Sequence, residues 1–105
     1  MLKINADQFQ NEVLNQKGLV FVDFYADWCG PCKMTSPIIE ELANEVKEVK
    51  FVKVNVDENP DLASQHNIFS IPTFLIFKDG KIVHQFAGVR GKEGFLSEIE
   101  KAKTM

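Results

Sequence analysis

The chain contains two cysteines, Cys29 and Cys32, and they stand three positions apart. Residues at positions i and i+3 of a helix have Cβ atoms about 5–6 Å apart, whereas a disulfide requires about 3.5–4.5 Å. A small adjustment at the start of a helix therefore closes the pair, and an equally small one reopens it. Reversible two-electron chemistry requires that combination, so the spacing predicts a redox-active dithiol.

Two other uses of the cysteine pair remain open at this point. A structural disulfide across about four residues would stabilise the fold by only about 2 kcal/mol, against about 5 kcal/mol for a loop of about 100 residues. A metal site would need two more ligands, and the only histidines, His66 and His84, stand alone on different predicted elements. His66 is predicted to be half-buried and His84 to face solvent. Redox chemistry is the favoured interpretation.

The two cysteines are predicted to have different roles. Cys29 begins the predicted helix, where free backbone N–H groups and the helix dipole favour a thiolate. The dipole alone supplies about 0.3–1 kcal/mol, so stronger activation needs hydrogen bonds from backbone N–H groups and from the Cys32 thiol. Cys32 lies one turn further along and is predicted to be the less exposed. We therefore predict that Cys29 is the nucleophile and Cys32 the resolving thiol.

The hydrophobic pattern predicts an α/β fold around these residues. Residues 19–25 are apolar on both faces except at Asp23, as in a central parallel strand. Asp79-Gly80 between two apolar runs predicts a tight antiparallel hairpin. The helix after the cysteines is predicted to bury a stripe with a four-residue repeat: Met34, Ile38, Leu42 and Val46. The element order β-α-β-α-β-α-β-β-α predicts a central mixed five-stranded sheet flanked by four helices, with function at the carboxyl ends of its parallel strands.

The bulk composition limits the classes of function. A chain of 105 residues is predicted to form one domain, residues 1–105. Its net charge of −3 and scattered lysines argue against nucleic acid or an anionic membrane as a partner. The apolar runs are too short for a bilayer, and the first residues lack a signal-peptide core, which predicts a cytoplasmic protein. Neither a Gly-rich dinucleotide motif nor a metal-ligand cluster indicates a bound cofactor.

The residues around the cysteines resemble the active-site motif of the thioredoxin family. The motif is Trp28-Cys29-Gly30-Pro31-Cys32-Lys33, and the resemblance covers essentially the whole chain. A CxxC pair alone is a weak signal, but the full set of matching residues in this order is highly specific. The resemblance implies the thioredoxin fold. The further matching positions are Asp23, Pro37, Lys53, Ile71-Pro72-Thr73, Lys78-Asp79-Gly80 and Gly88.

Asp23 is the only acid in the predicted central strand. A buried carboxylate without a partner is costly, or it titrates at a higher pH than usual. One interpretation is a salt bridge to Lys53, which occupies the corresponding part of the next strand. The resemblance implies a second role, in which Asp23 is a buried base that assists Cys32 through water and Lys53 tunes it. Both interpretations can hold at once.

The resemblance also implies a surface that binds substrate beside Cys29. The family's proline at the position of Pro72 is cis and faces the cysteines, which leaves the backbone of Ile71 free to pair with an extended segment. The alternatives are a plain strand start at Pro72 and a simple chain break at Gly88. Trp28, on the turn beside Cys29, is predicted to border the site. The predicted substrate-binding residues are Trp28, Gly30, Pro31, Ile71, Pro72, Ala87, Gly88 and Val89.

The resemblance implies a monomeric protein-disulfide reductase with disulfide-containing client proteins. It implies that a separate thioredoxin reductase restores the dithiol, commonly with electrons from NADPH. Gly30-Pro31 between the cysteines resembles the reducing members, because a histidine at the second position is usual in oxidising ones. The competing hypotheses are an oxidase or isomerase domain of the same fold, and a binding module that performs no turnover.

Overall fold

The chain folds into five strands and four helices in the computed structural model, which describes residues 1–105. The strands are β1 (Leu2–Lys3), β2 (Leu19–Tyr25), β3 (Val49–Asn55), β4 (Thr73–Lys78) and β5 (Lys81–Ala87). The helices are α1 (Ala6–Phe9), α2 (Gly30–Glu45), α3 (Pro60–Gln65) and α4 (Lys92–Lys103). A π-helical segment, Gln10–Leu14, continues α1.

The strands form one mixed sheet in the order β1-β3-β2-β4-β5. Strand β3 is parallel to β1 and β2, whereas β4 is antiparallel to β2 and β5. The predicted five-stranded mixed sheet with four helices is confirmed, and β2 begins and ends at the predicted residues, Leu19 and Tyr25. None of the helices combines the length and apolar composition needed to cross a membrane.

Strand β2 is buried on both faces because helices cover both sides of the sheet. Phe21 packs in a core cluster with residues of α2 and α4, whereas Val22 packs in a second cluster with residues of α1 and α3. Side chains alternate along a strand, so Asp23 lies on the same face as Phe21. The helix that begins at the cysteines therefore covers the face of the sheet that carries Asp23.

The buried face of α2 differs from the predicted stripe. Met34 is 63% exposed, whereas the polar Thr35 is buried and its hydroxyl donates to the carbonyl oxygen of Cys32 at 3.1 Å. A four-residue repeat drifts about 40° around a helix at each step, because each residue turns the helix by about 100°. Alternating spacings of three and four residues keep to one face. The buried residues follow that alternation: Cys32, Thr35, Ile39 and Leu42.

The Asp79-Gly80 turn between β4 and β5 packs against the chain that precedes β2. Asp79 and Gly80 have φ angles of 51° and 83°, as a tight type I′ hairpin turn requires. The Asp79 Oδ1 atom accepts the N–H of Gly18 at 2.7 Å. A Cβ atom at residue 80 would collide with the carbonyl oxygen of Leu14. The turn therefore needs glycine at residue 80 for both conformation and space.

Replacing Gly80 with alanine is expected to destabilise the protein by about 2–5 kcal/mol, as strain from positive φ (about 1–2) adds to overpacking (about 1–3). Gly18→Ala is the matched control, because Gly18 has a φ of 78° but nothing lies within 4 Å of an added Cβ atom. Gly18→Ala is therefore expected to lose only the part of the stability that positive φ accounts for. Denaturant titrations of both variants measure the difference, and equal losses would mean that the contact with Leu14 costs nothing.

Candidate active site

The cysteine pair lies at the N-terminus of α2, shortly after β2 ends. Cys29 is the N-cap residue of this helix and Cys32 lies in its first turn. The two residues form a disulfide, with their Cα atoms 5.2 Å apart. The backbone N–H of Cys32 is directed at the sulfur of Cys29, with a distance of 3.2 Å from nitrogen to sulfur. The predicted closure of the pair across one helical turn is confirmed.

The two sulfurs differ in their surroundings rather than in their burial. Cys29 is 3% exposed and Cys32 is 6% exposed, so the prediction that Cys32 is the less exposed was wrong. The loop before β4 accounts for the burial of Cys29, since its sulfur lies 3.8 Å from the carbonyl oxygen of Ile71. Cys32 instead lines an open cavity that Cys29 does not line.

The cavity beside Cys32 has a volume of about 230 Å³. This is far more than one water molecule needs. Asp23 and Lys53 line it together with Cys32, and its remaining walls are Tyr25, Ala26, Asp27, Lys33 and Ser36. The structure therefore brings three of the predicted catalytic residues to one space that has room for water.

Asp23 is buried, and no group of the protein forms a hydrogen bond with its Oδ1 atom. Burial raises the pKa of this carboxyl from 3.8 to about 7, while the positive charge of Lys53 opposes the rise and the charge of Glu40 adds to it. The side chain therefore gains or loses its proton near neutral pH. A group with that property is suited to proton transfer.

Lys53 lies opposite Asp23 in the register of β2 and β3, as predicted, but the predicted salt bridge is not formed. The Lys53 Nζ atom lies 5.6 Å from the centroid of the Tyr25 ring. The four-carbon stem of a lysine lets its ammonium group stay near solvent while its neighbours are buried. Lys53 therefore acts on the carboxyl of Asp23 through its charge and not through a contact.

Trp28 lies on the surface and not in the core, with 69% of its area exposed. Its indole Nε1–H donates to the Oδ2 atom of Asp57 at 2.7 Å, so the ring is held although it is exposed. Asp57 was not predicted from the sequence. An acid that follows β3 carries no signal that its partner is a side chain 29 residues earlier.

The other predicted binding residues lie on the first turn of α2, the loop before β4 and the end of β5. The Ile71–Pro72 peptide bond is cis, as the resemblance implies. The Gly88 N–H donates to the carbonyl oxygen of Pro72 at 3.0 Å, which joins the end of β5 to the loop before β4. Pro72 is buried and Ile71 and Gly88 are half-buried. The exposed members are Gly30, Pro31, Ala87 and Val89.

Phe69 is an apolar surface residue that was not predicted from the sequence. It is 86% exposed, more than any other large hydrophobic residue of the chain, and it stands two positions before Ile71. It belongs to an irregular loop, where no hydrophobic period indicates which side chains point outward. The loop before β4 therefore has more exposed apolar area than predicted.

The two histidines have structural partners. His66 is half-buried as predicted, and its Nδ1 atom lies 3.0 Å from the carbonyl oxygen of Leu62. The prediction that His84 faces solvent was wrong, because α4 covers that side of β5. His84 Nε2 lies 3.3 Å from Glu98 Oε1. No group of three or more His, Cys, Asp and Glu side chains is arranged to hold a metal ion.

A family model described as Thioredoxin matches residues 1–101. The chain belongs to the thioredoxin family. It is 44% identical over 100 residues to a protein named Thioredoxin from Rickettsia felis, and this alignment covers 94% of this chain and 95% of that protein. It is 48% identical over 94 residues to Thioredoxin 1 from Synechococcus elongatus, which covers 89% of this chain and 88% of that one. A Thioredoxin from Chlamydia trachomatis is 41% identical over 98 residues, with 93% and 94% covered.

Membership of the thioredoxin family confirms the predicted chemistry of the cysteine pair. This thioredoxin-family chain is a thiol–disulfide oxidoreductase of the protein-disulfide reductase type, and the Cys29–Cys32 disulfide is its redox centre. The family has disulfide-containing client proteins and a reductase as partners in general. The structural disulfide and the binding module are therefore not the function of this pair.

Proposed function

We propose that Cys29 is the attacking thiolate and Cys32 the resolving thiol in the reduction of client disulfides. The observation that carries this proposal is the N–H of Cys32, which is directed at the sulfur of Cys29 from 3.2 Å. Cys29 is also the N-cap residue of α2, where the helix dipole favours negative charge. Both features stabilise a thiolate on Cys29, which is the reactive form in exchange.

The exchange proceeds in two displacements that conserve electrons. The Cys29 thiolate attacks one sulfur of the client disulfide, so that a mixed disulfide forms and the other client sulfur leaves as a thiolate. The Cys32 thiolate then attacks the sulfur of Cys29, and the bond to the client breaks. The client keeps two electrons and both of its sulfurs are reduced. Cys29 and Cys32 supply those electrons and end as a disulfide.

Asp23 is the group to which we assign the proton of Cys32. Both residues line the cavity of about 230 Å³, which has room for a water molecule that would connect the thiol to the carboxylate. With a pKa raised by burial to about 7, the carboxylate is a stronger base than an exposed one. Lys53 is the tuning residue, since its charge opposes that rise.

Clients dock, in this proposal, on the surface around Cys29 that we call the docking edge. The Ile71 carbonyl oxygen lies 3.8 Å from the sulfur of Cys29, so a client segment paired with the backbone of Ile71 would bring its disulfide to that sulfur. The exposed ring of Trp28 and the exposed Val89 provide apolar surface for contacts with the client. The docking edge comprises Trp28, Gly30, Pro31, Ile71, Pro72, Ala87, Gly88 and Val89.

The proposal has five further parts. Residues 1–105 act as a single domain, which is supported by one sheet with a core cluster on each face. The protein works as a monomer in the cytoplasm. Gly30-Pro31 between the cysteines favours the reducing direction, as the family resemblance implies. A separate thioredoxin reductase supplies the electrons from NADPH.

Reduction of insulin by the wild-type protein tests the proposed function. With dithiothreitol as the electron donor, the protein is expected to raise the rate of insulin reduction well above that of dithiothreitol alone, because Cys29 and Cys32 relay the electrons. The control is the double variant Cys29→Ser/Cys32→Ser, which is expected to give the background rate. A folded wild-type protein with only the background rate would exclude turnover.

Equilibration with glutathione tests the proposed direction. Reducing and oxidising members of this fold differ in potential, at about −270 mV for thioredoxin and about −180 mV for protein disulfide isomerase. At a glutathione potential of about −220 mV the Cys29–Cys32 pair is expected to be mostly oxidised. A pair that stays mostly reduced in that buffer would indicate the oxidase or isomerase hypothesis instead.

A further inference from the structure

We propose that Arg90 is a positioning residue that holds residues 87–89 of the docking edge in the conformation that clients bind. This inference rests on the proposed function, because it assumes that these residues contact the client. It adds a residue that neither the sequence motifs nor the family resemblance singled out.

The guanidinium group of Arg90 folds back onto the chain that precedes it. Its Nη1 atom donates to the carbonyl oxygen of Ala87 at 2.7 Å and to that of Gly88 at 3.4 Å. Ala87 is the last residue of β5, so the sheet gives way to irregular chain at this point. Arg90 therefore donates hydrogen bonds to two carbonyl groups at the point where the backbone hydrogen bonds of the sheet end.

The same segment is anchored from its other side by the loop before β4. The N–H of Gly88 donates to the carbonyl oxygen of Pro72 at 3.0 Å. Gly88 has a φ of 94°. In a free chain a glycine would also adopt many other backbone conformations. Hydrogen bonds on both sides of Gly88 hold it in the observed conformation, and Arg90 provides those on the carbonyl side.

Three features hold the side chain of Arg90 in place. Its Cζ atom lies 4.8 Å from the centroid of the Phe86 ring, a distance typical of a cation–π contact. The stem lies against Gly94 of α4, where an added Cβ atom would come within 3.1 Å of the Arg90 Cβ atom. The Nη2 atom lies 3.5 Å from Glu98 Oε2. The ring of Phe86, the space beside Gly94 and the carboxylate of Glu98 thus fix the direction of the guanidinium group.

Glu98 is in turn held by more than Arg90. Its side chain is 8% exposed, and its carboxylate also contacts His84 Nε2 at 3.3 Å and Lys101 Nζ at 3.0 Å. A carboxylate shared by three basic groups on β5, α4 and the chain between them keeps a fixed position. The network therefore connects the docking edge to α4, on the same side of the sheet as the cysteine helix.

Arg90→Met tests the proposal, because methionine keeps an unbranched stem against Gly94 but has no N–H donors. With insulin as the client, KM is expected to rise about three- to tenfold with kcat little changed, as expected for the loss of about one or two hydrogen bonds. Glutathione disulfide is too small a molecule to contact the whole docking edge. Its rate of reduction is therefore expected to change less than about twofold. The thermal midpoint of the variant is recorded in parallel.

Lys92→Met is the matched control. It removes one positive charge close by in the chain, but Lys92 pairs with Glu41 and Glu45 of α2 and forms no hydrogen bond or ion pair with residues 87–89. Its KM for insulin is expected to equal that of the wild type. If Arg90→Met does not fold, Arg90→Lys gives the same readouts, because one ammonium group does not replace the two arms of a guanidinium group.

Two outcomes would overturn the role of Arg90 and leave the proposed function intact. One is a wild-type KM in a folded, active Arg90→Met protein. The other is an equal loss with insulin and with glutathione disulfide, which would indicate general damage to the fold. A wild-type protein that does not reduce insulin would contradict the proposed function itself, so the two failures are distinguishable.

Discussion

Replacing Cys32 with serine is expected to convert the protein from a catalyst into a trap. Cys29 keeps its place at the N-cap of α2 and can still attack a client disulfide. The mixed disulfide then persists, since no second sulfur is present to displace the client. Insulin reduction should fall to the background rate. In a cell lysate the variant should accumulate covalent complexes, visible on a non-reducing gel and dissolved by added thiol.

Cys29→Ser is the control for the trap. This variant retains Cys32, which lines the cavity with Asp23 and is not the N-cap sulfur. It is expected to be inactive and to collect few or no clients. Burial alone does not separate the two cysteines, so this comparison is decisive for the assignment. If Cys29→Ser collected clients as well as Cys32→Ser does, the roles of nucleophile and resolving thiol would have to be exchanged or shared.

The features that the sequence predicted well depend on local patterns. Strand β2 is apolar on both faces, and its bounds at Leu19 and Tyr25 agree with the prediction. Asp79-Gly80 specified its turn because few residues accept positive φ. The cysteine pair was recognisable because three positions on a helix define a distance whatever else surrounds them.

The features that the sequence did not predict depend on how elements pack. The inward face of α2 includes Thr35 and excludes Met34, which follows from the rotation of the helix on the sheet. His84 was predicted to face solvent because its partner, Glu98, lies on another element, α4, 14 residues further along the chain. The register that places Lys53 opposite Asp23 was predictable, but the direction of the lysine side chain was not.

Asp23 is the residue at which stability and catalysis are expected to conflict. Its carboxyl has an ordinary pKa of 3.8 and a pKa of about 7 in the folded protein. Between those values the folded state keeps a proton that the unfolded state has lost, so stability falls as pH rises. Well below pH 3.8 both states are protonated and nothing is lost. Across about three pH units the loss amounts to about 4 kcal/mol at 1.36 kcal/mol per unit.

Asp23→Asn is expected to remove that pH dependence. The asparagine does not titrate, but its buried amide has no evident partner and costs about 1–3 kcal/mol. We therefore expect a net gain of about 1–3 kcal/mol at pH 8 and a net loss near pH 4. Urea titrations from pH 4 to pH 8 measure both. Asp27→Asn is the control, since Asp27 lines the same cavity but is exposed. Parallel curves for wild type and Asp23→Asn would contradict the assignment.

The same substitution is expected to slow the release of clients. Without a carboxylate to accept its proton, Cys32 must lose that proton to water, so the thiolate that attacks Cys29 forms more slowly. At pH 7 the resolution of a preformed mixed disulfide is expected to slow by about 100-fold, a typical contribution of a general base. Raising the pH to 9 should restore most of the rate, because hydroxide then replaces the base. Stopped-flow fluorescence of Trp28, the only tryptophan, can follow the step. A more stable protein that resolves its clients as fast as the wild type would mean that Asp23 is buried for some other reason.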